Sequence, residues 1–67
     1  MREIDIINKF HNGELNRGDV FKCGRTILEC FTETSLVRRT LDKDGKIIIN
    51  DWVAYKELLA KDGFEKQ

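Results

Sequence analysis

The sequence predicts a small α+β domain: an N-terminal helix, a four-stranded antiparallel meander (open or barrel-like) and a C-terminal helix, all within one domain spanning residues 1–67. Three observations carry this reading. Apolar residues recur at helical spacing over residues 2–12. Runs of β-branched and aromatic residues between 20 and 50 are separated by short Gly-bearing turns. Helical spacing then returns after residue 50.

In the first segment Ile4, Ile6, Ile7 and Phe10 make one apolar stripe, while Arg2, Asp5, Asn8 and Lys9 occupy the opposite face. Glu3 and Asp5 fall in the first turn, where negative charge suits the helix dipole. Asn12-Gly13 supplies a left-handed stop.

Asn16-Arg17-Gly18-Asp19 is a turn cluster, and past it the pattern becomes β-rich: residues 20–23, then 26–32, joined through Cys23-Gly24. This hairpin places Phe21, Leu28 and Cys30 on one face. Val20, Lys22, Ile27, Glu29 and Phe31 share the other.

Residues 36–41 fit two patterns, because Val37, Arg39 and Leu41 alternate like a strand while Leu36, Val37, Thr40 and Leu41 also make a helical stripe. The following Asp42-Lys43-Asp44-Gly45 suits a type I turn closed by a glycine bulge, and residues 46–50 are rich in isoleucine; both favour a hairpin. In that register Val37, Leu41, Ile47 and Ile49 share a face. Asn50 or Asp51 then caps a second helix with Trp52, Tyr55, Leu58 and Leu59 as its stripe, ended by Gly63, with Phe64 folding back and a frayed tail over 65–67.

Size and composition narrow the function classes. At 67 residues and 40% apolar content the chain closes one core with little to spare. Twelve Lys and Arg balance twelve Asp and Glu, so no global field draws the protein to nucleic acid or an anionic membrane. No apolar run approaches the ~20 residues that cross a bilayer. The opening Met-Arg-Glu-Ile-Asp has no secretory character, which points to a reducing, cytoplasmic setting with Cys23 and Cys30 as free thiols. The hairpin register also sets Cys30 near Asp19, far along the ladder from Cys23.

Candidate chemistry is sparse. His11 is the only histidine and ends a helix beside Asn8 and Asn12, with no serine nucleophile placed to use it. Zinc needs four ligands; His11, Cys23 and Cys30 offer three from scattered places, so no metal is expected. Residues 42–47 overlap the middle of a calcium-binding EF-hand loop, but Thr40 and Asp51 stand where its first acidic ligand and bidentate Glu belong. The glycines fall singly at turns, with no phosphate-cradling pattern. No catalytic residue and no cofactor are expected.

The run from Gly18-Asp19-Val20-Phe21-Lys22 through Lys46-Ile47-Ile48-Ile49 resembles the tightly turned meander of small SH3-like barrels, a likeness of strand order that transfers no binding residue. The proline-free, Lys/Glu/Ile/Asn-rich make-up is similar to that of small bacteriophage or prophage proteins.

Two functional expectations follow. The first is a non-enzymatic module that binds a protein partner, or itself as a homodimer, through its sheet. It uses a strand edge or the Val20, Ile27 and Phe31 face, and its make-up suits a phage accessory or host-modulating factor. The alternative is a small nucleic-acid-binding regulator using Lys22, Arg25, Arg38 and Arg39, with residues 35–50 as a winged-helix-like reader.

Overall fold

In the computed structural model of the chain, residues 1–52 and 62–67 are described, with the backbone alone for 49–52. Helix α1 (Glu3–His11) is followed by strands β1 (Val20–Cys23), β2 (Thr26–Thr32), β3 (Ser35–Leu41), β4 (Ile47–Trp52) and β5 (Glu65–Lys66). They form one antiparallel sheet in the order β4-β3-β2-β1-β5. The protein is thus α+β, as the sequence predicts.

The predicted apolar stripe positions α1. Ile6 and Ile7 are buried, Ile4 and Phe10 half-buried, and the helix stops at Asn12 before Gly13. Arg2 opens it: its backbone N and its guanidinium both donate to the Asp5 carboxylate, closing the first turn. One face of the sheet receives the helix. Ile6, Phe21, Leu28 and Phe64 make the core cluster, with Leu15 and Cys23 packed against it.

The first hairpin has the predicted register, Phe21 opposite Leu28 and Lys22 opposite Ile27. Turn 16–19 is stitched to β2: Gly18 N donates to Cys30 O, and Cys30 N donates to Asp19 O. Both cysteines are free thiols. Burial raises the Cys30 thiol pKa, with Asp19, Glu29 and Glu33 adding to the shift.

Residues 35–41 are strand, so of the two patterns the segment fits it takes the strand form and not the helical one. The 42–45 turn forms as its sequence specifies. Gly45 N donates to Asp42 O, Gly45 takes φ +84, and Asp42 Oδ1 accepts from the backbone N of Asp44 and of Lys46.

Several expectations are corrected. The sheet is open, not barrel-like, since β4 and β5 each pair on one side only among the described residues. It has five strands, not four: residues 65–66 are no frayed tail but pair with β1, Phe21 opposite Lys66 and Lys22 opposite Glu65. Met1 fixes this return, because its amino group donates to Phe64 O while Phe64 N donates to Met1 O. Phe64 drives it by filling the core. Residues 50–52, expected to begin a helix, continue β4; the rest of that predicted helix, including Tyr55, Leu58 and Leu59, falls on 53–61, outside the described residues.

The register slips twice. Between Cys30 and Thr32 the β2–β3 pairing skips Phe31, and between Ile49 and Ile47 the β3–β4 pairing skips Ile48. Each extra residue is a β-bulge, which breaks strict alternation. Ile47 therefore pairs with Leu41 but Ile49 with Thr40, so Ile49 leaves the Val37–Leu41 set in which alternation alone had placed it.

Candidate interaction surface

The sheet has a helix-covered face and an outer face. Strand register puts Val20 beside Glu29, Lys22 beside Ile27, and Arg39 beside Ile27 on the outer face. Val20 and Ile27, two of the predicted partner-binding residues, are half-buried there, so they present little free apolar area. Val37 on the same face is buried. Phe31, the third, is 48% exposed.

The larger apolar exposure lies on β4, where Ile47 is 55% and Ile48 61% exposed. Neither was singled out by sequence reasoning. The isoleucine run was visible, but alternation assigns half of it inward, and only the bulge explains why consecutive residues both meet solvent. Phe31 and Ile48 thus share a cause: each is the residue its ladder skips.

The two sheet edges differ. β5 is two residues long and carries Glu65 and Lys66, the short charged form that discourages pairing. β4 is six residues long and opens with two exposed isoleucines. Among the described residues no strand pairs with its outer side, the kind of edge to which another strand can add.

The predicted nucleic-acid residues separate into two kinds. Arg38 lies on the helix-covered face, where its Nε donates to Glu3 Oε1 at 2.9 Å. Arg39 on the outer face pairs with Glu29. Both guanidiniums are thus engaged within the fold, which follows from their opposite orientation on a strand. Lys22 and Arg25 are exposed. The structure does not bring the four together as one basic surface.

No group of three or more His, Cys, Asp or Glu residues gathers to hold a metal among the described residues. Asp42, the first carboxylate of the EF-hand-like run, accepts from the backbone N of Asp44 and Lys46 and so holds its turn. His11 is exposed at the helix end, its ring edge-on to Phe10 at 5.3 Å between centroids. A depression of ≈ 200 Å³ lies between Lys9, Glu14, Asp19 and Lys66. Its charges are mixed, and Lys66 Nζ is already 3.6 Å from Asp19 Oδ1.

No described helix is long and apolar enough to cross a membrane. Comparison with family models, curated proteins and solved structures finds no match to this chain.

Proposed function

We propose that this protein is a non-enzymatic interaction module that binds another protein through the β4 side of its sheet. The observation that supports it is the contrast between edges: β5 is short and charged, whereas β4 is long, unpaired on its outer side among the described residues, and led by exposed Ile47 and Ile48. An added strand would pair with β4 and cover that apolar surface. Homodimers are one form of this reading, since a molecule of zero formal net charge carries no overall repulsion between copies. The make-up of the chain supports a cytoplasmic, phage-type accessory or host-modulating role.

Light scattering together with duplex-DNA binding measured at several salt concentrations tests the proposal. Self-association or protein binding that Ile48→Lys abolishes supports it. A monomer that binds duplex DNA, with affinity falling steeply as salt rises and indifferent to Ile48→Lys, contradicts it.

A further inference from the structure

From the charges around β4, we infer that the segment it takes up is acidic at the end lying beside the β3–β4 turn. This inference rests on the reading of β4 as the binding edge. Of the described cations, Lys9, Arg17, Lys22, Arg25, Lys43 and Lys46 form no ion pair with a described carboxylate, while four other side chains do. Arg2, Arg38, Arg39 and Lys66 are matched to Asp5, Glu3, Glu29 and Asp19. Arg25, Lys43 and Lys46 are exposed, and no described carboxylate forms an ion pair with them.

These three lie at one end of the sheet. Leu41 N donates to Arg25 O at 2.9 Å, which ties the β1–β2 turn to the start of the β3–β4 turn. Lys43 is in that turn, and Lys46 directly precedes exposed Ile47 and Ile48. Lys22 is exposed on β1, three strands from β4, on the outer face. Asp42 and Asp44 are the counter-charges in the same turn, Asp42 also accepting from the backbone N of Asp44 and Lys46, so against Arg25, Lys43 and Lys46 this end keeps one net positive charge. Apolar surface thus continues into positive surface along one edge. The matching ligand is an extended chain whose apolar side chains meet Ile47 and Ile48 and whose carboxylates reach Lys43, Lys46 and Arg25. Charge at such a rim sets register and partner choice. Nucleic acid fits less well, because its phosphates find no counterpart for the isoleucines.

The test uses the full chain, isotope-labelled for NMR, with two degenerate peptide pools. Both alternate Val, Ile and Thr; one ends in Glu residues and the other in Lys. The acidic pool is expected to shift the amides of residues 43–48 and to bind roughly tenfold tighter than the basic pool, the advantage shrinking as salt rises. Lys43→Glu with Lys46→Glu, both at exposed positions, is expected to reverse the preference while circular dichroism stays unchanged. Equal binding of both pools at β4 overturns the acidic partner and leaves the edge reading standing. If neither pool shifts β4, both fall. Shifts at residues 43–48 with a short DNA duplex, but with neither pool, assign the patch to nucleic acid instead.

Discussion

Arg38 on β3 and Glu3 in the first turn of α1 meet at 2.9 Å, with the Glu3 side chain only 2% exposed, so a helix and a sheet distant in sequence are joined by a buried ion pair. Two charges removed from water need each other. Losing Arg38 leaves the Glu3 carboxylate stranded in the core.

Arg38→Ala is therefore expected to cost about 3–5 kcal/mol in urea denaturation, a large share of the stability of so small a domain. Glu3→Leu combined with Arg38→Met is expected to cost far less than the two single losses added, because the Glu3 carboxylate is removed together with the Arg38 guanidinium. Strict additivity would show that the pair is not coupled.

The Arg39–Glu29 pair is partly exposed, at 23% and 26% for the two side chains. Arg39→Ala is expected to cost only about 0.5–1 kcal/mol, and less at high salt. A loss equal to that of Arg38→Ala would place Arg39 in a far more enclosed setting than its exposure indicates.

The backbone at Gly63 has φ +99, and an added Cβ would lie 3.4 Å from Cys23 Sγ. Gly45, at φ +84, has open space around that position. Both alanine substitutions are expected to destabilise by about 1–2 kcal/mol, with Gly63→Ala the worse because it also presses on the thiol beside β5. Thermal melts of the two variants check the order.

Arg2 holds the Asp5 carboxyl below the ordinary carboxylate range, chiefly by side-chain hydrogen bonding. A depressed folded-state pKa stabilises the fold above the unfolded pKa, and that contribution is lost as pH falls through the folded value. Carbonyl NMR titration of Asp5 is expected to show a midpoint below the ordinary one, returning upward in Arg2→Ala.

Much of the fold was legible because local chemistry and tertiary structure agree. The Ile4–Ile6–Ile7–Phe10 stripe gives α1, the Asp42–Gly45 turn gives its hairpin, and β1 and β2 take the register their alternation implies. What was not legible depends on contacts across the chain. The Glu3 position fits a helix dipole equally well, and only the placement of α1 over β3 reveals its partner. Residues 65–66 have no strand pattern; Phe64, entering the core, delivers them to β1. The skipped pairings at Phe31 and Ile48 are likewise invisible in a periodicity, and they expose two apolar side chains, of which Ile48 belongs to the candidate surface on β4.

The central claim, that β4 is where this protein meets another, is tested most directly by placing a photo-crosslinking amino acid at position 48 and, as a control, at exposed Glu65 on the opposite edge, then irradiating the cells in which the protein naturally works. The account predicts a discrete protein adduct, either a second copy or another chain, from position 48 and none from position 65. Adducts to nucleic acid at position 48, or the same protein adducts from both edges, would contradict it.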